Sequence, residues 1–87
     1  MRVQGLVAWN LRRLRVERGL SQENLAVDAG IDRTYVSRLE RGLENPTVGI
    51  LEQLSAALDA QIVEFFAVPD LGEPPPRTLP GGRRPRR

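Results

Sequence analysis

Neither cysteine nor histidine occurs in this 87-residue sequence. Without cysteine, no disulfide or thiolate metal site can staple the chain, as one commonly does in small secreted proteins. The expected setting is the reducing cytoplasm. Without histidine, the commonest general base and the commonest metal ligand are both missing. No apolar run approaches about 18 residues, and no basic segment leads into an apolar one at the start. Neither a signal peptide nor a membrane span is therefore expected. Lysine is lacking too, so all 13 basic residues are arginine. No glycine-rich phosphate loop or cluster of metal-ligating residues is present, and Gly81-Gly82 stands among arginines and prolines rather than between a strand and a helix. These absences argue against an enzyme and against any cofactor or metal.

The charge that is present matters by position. Residues 1–68 hold 8 arginines against 9 acidic residues, a net of −1; residues 69–87 hold 5 against 2, a net of +3. So even a balance gives little support by itself for a nucleic-acid partner, and the argument rests on where particular arginines sit. Composition breaks at Pro69: six of the seven prolines lie from there on, ending in Arg83-Arg84-Pro85-Arg86-Arg87. Such a stretch cannot bury enough apolar surface to offset its ordering entropy. We read 1–68 as one domain and 69–87 as a disordered Pro/Arg-rich tail, which either adds salt-sensitive DNA affinity or only solubilises the end.

The first part reads as an all-α domain of five helices. Val3, Val7, Leu11 and Leu14 recur at helical spacing and predict a helix over 4–18, ended by Gly19. Ser21 is a good N-cap for a helix over 22–29, with Leu20 and Leu25 spaced as a hydrophobic staple. Gly30 stops it. Asp32 caps the next, over 33–41, where Ile31 and Val36 repeat the staple and Gly42 is the stop. Thr47, after Asn45-Pro46, caps a helix over 48–58 with Val48, Leu51, Leu54 and Leu58 as its stripe. A short fifth helix over 62–66 closes the domain. Gly49 weakens the first turn of the fourth helix.

The pair of helices between Gln22 and Leu39 carries the functional signal. They are joined by Ala29-Gly30-Ile31, where glycine lets the backbone reverse with φ above zero. Ala26 faces that turn, and a larger side chain would hold the helices apart. On a wheel of about 100° per residue, Arg33, Thr34, Ser37, Arg38 and Arg41 fall within an arc of about 140°, opposite Val36 and Leu39. Two readings stand. The face is either solvated or touches DNA, since an arginine fork can bond the O6 and N7 of guanine and Ser or Thr can bond bases.

The string Leu20-Ser21-Gln22-Glu23-Asn24-Leu25-Ala26, then Ala29-Gly30-Ile31, Thr34 through Gly42 and Asn45-Pro46-Thr47, resembles the lambda-repressor and Cro type of helix-turn-helix. It is similar to the xenobiotic-response-element family of regulators, and within it to the short controller proteins of restriction–modification systems. The resemblance covers about residues 5–67. It implies a compact lambda-repressor-like fold of five helices, a transcription regulator, and a third helix lying in the major groove of double-stranded DNA. It also implies roles. Arg33, Thr34 and Arg38, with Ser37 beside them, match the base readers. Gln22 matches a residue that clamps a phosphate from a helix N-terminus, and Tyr35, Arg41 and Asn45 would flank the same backbone. Arg15 and Glu40 match a structural ion pair tying the first helix to the third. The sequence departs from the family at Leu43-Glu44, where basic residues are common, and at Asp59, where a helix-ending glycine is common.

A rival reading keeps the fold but makes it a protein-interaction module, such as an antitoxin or adaptor. Trp9, on the side of the first helix away from Val7, Leu11 and Leu14, is its one candidate anchor; the alternative is local packing. Phe65 matches the family's core position, which leaves Ile62, Val63 and Phe66 as surplus apolar residues. These predict a two-fold homodimer interface; the alternative folds Phe66 back onto the first helix and Trp9, leaving a monomer that pairs only on DNA. With no second domain to sense a small-molecule effector, control by protein concentration is the simplest expectation.

Overall fold

Residues 2–69 are described by a computed structural model, and apolar spacing with a cap at most starts divides them into helices. α1 is Val3–Glu17, α2 Gln22–Ala29, α3 Arg33–Glu40 and α4 Val48–Leu58, followed by a 3-10 helix, Ile62–Phe66. No strand occurs among the described residues. Apart from Pro69, the tail expected over 69–87 lies outside them.

The starts follow local chemistry. Ser21 Oγ accepts from the Asn24 N–H at 2.9 Å, Asp32 Oδ2 from Thr34 at 2.9 Å and Thr47 Oγ1 from Ile50 at 3.0 Å. Each bond satisfies a first-turn donor that the helix itself cannot. At the end of α2, Gly30 takes φ 73°, and the Ile31 N–H reaches back to the Ala26 carbonyl at 3.0 Å. That left-handed closure reverses the chain within one residue and brings α3 against α2.

Leu11, Leu14, Leu25, Val36, Leu54 and Phe65 are wholly buried where the helices meet. α1 packs on α3 and on the 3-10 helix, while α2 packs on α3 and α4. Val3 and Val48, expected in apolar stripes, are instead 64% and 75% exposed. Each is the first residue of its helix and projects past the core.

The expectation of five α-helices is corrected to four and a 3-10 turn. Five residues close too few i→i+4 bonds to offset the cost of nucleating an α-helix. Distant side chains also claim the segment's carbonyls. Asn10 is fully buried in α1, and its Nδ2 donates to Phe65 O at 3.0 Å and Ala67 O at 2.9 Å. Glu64 holds the segment's other end by accepting from the Gln61 N–H at 2.9 Å.

Candidate nucleic-acid interface

α3 is fixed from behind and open in front. Val36 and Leu39 anchor it in the core, and Glu40 stands beside them with its side chain fully buried. Burying a carboxylate is costly unless partners satisfy it. Glu40 has three. Arg15 Nε donates to Oε2 at 2.6 Å and Nη2 to Oε1 at 3.0 Å, a two-pronged bond between α1 and α3. Gln22 Nε2, from the first turn of α2, donates to Oε1 at 3.0 Å. Arg12 Nε lies 3.5 Å from the same oxygen. One carboxylate thus links three helices. Arg15 also donates to the Leu20 carbonyl at 2.8 Å, fixing the turn ahead of α2.

In front, Arg33, Thr34 and Arg38 are exposed and Ser37 is half-buried, all on one side of α3. Arg41 is exposed and caps the C-terminal end of the helix rather than belonging to it, one residue earlier than its expected end. Asn45 is exposed in the loop beyond. Tyr35 is half-buried at the flank, and both its burial and the nearby Glu44 carboxylate hold its phenol above the ordinary range. Gln22 is half-buried, and the Glu40 bond takes one of the two hydrogens on its amide nitrogen. Arg38 is held as well: its Nε donates to Glu44 Oε2 at 2.6 Å.

The residues expected at a dimer interface divide. Val63 and Phe66 are 65% and 39% exposed, whereas Ile62 is half-buried. Trp9 is half-buried beneath the Arg13 guanidinium, whose carbon lies 5.8 Å from the ring centroid. Arg13 also donates to Asn10 Oδ1 at 2.9 Å, so this stack belongs to the network that ties the 3-10 helix to α1.

Sequence reasoning missed four supports of this site. These are the contact of Gln22 with Glu40, the nearness of Arg12 to it, the pairing of Arg38 with Glu44, and buried Asn10. Only Asn10 left a signal: it stands three residues after Val7 and four before Leu14, on the inward face.

The helix-turn-helix family profile matches residues 11–65, which contain α2, α3 and α4. An uncharacterized HTH-type transcriptional regulator of Sinorhizobium fredii, y4dJ, is 43% identical over 70 residues, or 80% of this chain and 91% of its own. The restriction-modification controller protein C.AhdI from Aeromonas hydrophila superposes with a TM-score of 0.71 at 41% identity, covering 72% of this chain and 96% of that one. A second controller protein, C.Esp1396I, crystallised as a tetramer in complex with its natural 35 base-pair operator, superposes with a TM-score of 0.70 at 35% identity, covering 76% of this chain and 87% of its own. A short, rigidly anchored α3 with a polar outer face, and a profile match over more than half its length, establish that the chain belongs to the helix-turn-helix family of transcription regulators.

Proposed function

We propose that this chain regulates transcription by binding double-stranded DNA sequence-specifically, with α3 in the major groove and two copies on a partly palindromic operator. The observation that carries the reading is the division of α3: one face buries Val36, Leu39 and Glu40, and the other exposes Arg33, Thr34 and Arg38. Arg33, Thr34, Ser37 and Arg38 read base edges; Gln22, Tyr35, Arg41 and Asn45 hold the phosphates that set register. Gln22 retains one amide hydrogen for a phosphate after bonding Glu40. Arg15 and Glu40 act behind the surface, not on it. Val63 and Phe66, with Ile62, form the dimer face. Residues 1–68 are the binding domain, and the arginines of 69–87 add charge-dependent affinity. The setting is the cytoplasm, and no catalytic step or small-molecule effector enters.

The relatives support this reading: C.Esp1396I forms a complex with its operator, and its Arg, Thr and Tyr variants have been crystallised. The test is selection of duplexes from a random pool, followed by titration against scrambled duplex. Selected DNA should bind at least about a thousandfold more tightly. Equal binding to both would favour a protein partner instead.

A further inference from the structure

Arg38 meets an acidic residue exactly where the surface is meant to meet an anion, and the detail of that contact is informative. Glu44 Oε2 takes the Nε hydrogen of Arg38 at 2.6 Å. Among the described residues, neither terminal nitrogen of Arg38 has a hydrogen-bond partner. The Arg38 side chain remains 45% exposed and that of Glu44 29%. Glu44 is itself held in place, because its backbone carbonyl accepts from Gln4 Nε2 at 3.2 Å, across to the first turn of α1. Gln4 Oε1 in turn accepts from Arg2 at 2.6 Å.

We propose that Glu44 is a specificity-determining residue that positions Arg38: it holds the guanidinium by its Nε edge, leaves both terminal nitrogens free for one guanine, and opposes any swing of Arg38 onto phosphate. This rests on the DNA-reading role given to α3 above. A free arginine near DNA is promiscuous, because every phosphate along the backbone is an equivalent partner. Swinging Arg38 to a phosphate breaks the bond to Glu44 and leaves a bare carboxylate facing a polyanion. Bonding a guanine end-on does neither. The O6 and N7 acceptors take the terminal nitrogens while Glu44 keeps Nε, so all three nitrogens of the planar cation are used at once. The acidic residue that weakens attraction at this rim therefore weakens it selectively.

The experiment compares the parent with Glu44→Ala and Glu44→Gln on selected and scrambled duplexes across a salt series. Melting temperatures confirm folding, which this exposed pair does not govern. In Glu44→Ala, affinity for scrambled DNA should rise and the ratio of selected to scrambled binding should fall by about tenfold or more. The salt slope on scrambled DNA should steepen by about one, as Arg38 acquires a phosphate, while the slope on selected DNA stays put. Glu44→Gln keeps a neutral acceptor for Nε and should fall between the two. In an Arg38→Ala background the Glu44 changes should no longer alter base preference. Equal tightening on both duplexes, with the ratio unchanged, would overturn the proposal and reduce Glu44 to a general repulsive charge. Failure of the parent itself to discriminate would overturn the DNA-reading role instead, and the proposal with it.

Discussion

Truncating Arg33 or Arg38 to alanine removes a planar fork of donors, and a base edge left without its partner loses discrimination at that base. Each change should cost roughly 1–3 kcal/mol and relax preference at particular positions, read by repeating the selection with the variant. Gln22→Ala should behave otherwise, weakening all duplexes alike, and it should also lower the melting temperature because Glu40 loses a donor. Glu40→Ala acts on stability first: it strands Arg15 in a site only 13% exposed, at a cost of about 3–5 kcal/mol. Thermal unfolding should show that loss, with base preference unchanged in the folded fraction. Which side chains face outward was legible from a helical wheel, because direction follows the period of the backbone. What each outward side chain touches was not. The Glu44 carboxylate reaches Arg38 only because the loop after α3 folds back, and no periodicity encodes a loop's path.

Caps and stops were the most legible elements, since Ser21, Asp32 and Thr47 act on N–H groups two or three residues away. The 3-10 helix was the least legible, because its geometry depends on Asn10, 55 positions before Phe65. Between these cases lies Asp59, which ends α4 in the left-handed region at φ 52°, the one non-glycine with positive φ among the described residues. There its Cβ crowds the following carbonyl, and its carboxylate sets a negative charge at the negative end of the helix dipole. Arg18 offsets part of this by donating to the Leu58 carbonyl at 2.7 Å and to the Asp59 carbonyl at 3.2 Å. Both are backbone acceptors, so Asp59→Gly keeps them. That substitution should stabilise the domain by about 0.5–1 kcal/mol, less than the full strain because glycine gains freedom in the unfolded chain. A rise in the denaturation midpoint without a change in slope would show it; a fall would mean the carboxylate has a partner in solution.

For the molecule as a whole, the apolar residues Val63 and Phe66 on one outer face predict association at micromolar concentration. Sedimentation equilibrium should find a dimer that Val63→Glu and Phe66→Glu both dissociate; a monomer indifferent to either change would sink the two-fold arrangement. Selected operators should then show half-sites about one helical turn apart. Global architecture was readable because 3.6-residue periods and stop signals succeed one another through residues 2–69, whereas how two copies meet depends on a surface that periodicity only leaves over. The bond between Asn10 and the end of the domain has a further consequence for synthesis on the ribosome. The reading helix is complete by residue 40, but the carbonyls that Asn10 holds lie 55 and 57 positions after it. Loops of that span close late, after local contacts have formed. A chain interrupted before Phe65 therefore holds the whole of α3 but lacks the buried ring and the carbonyls that tie the last segment to α1.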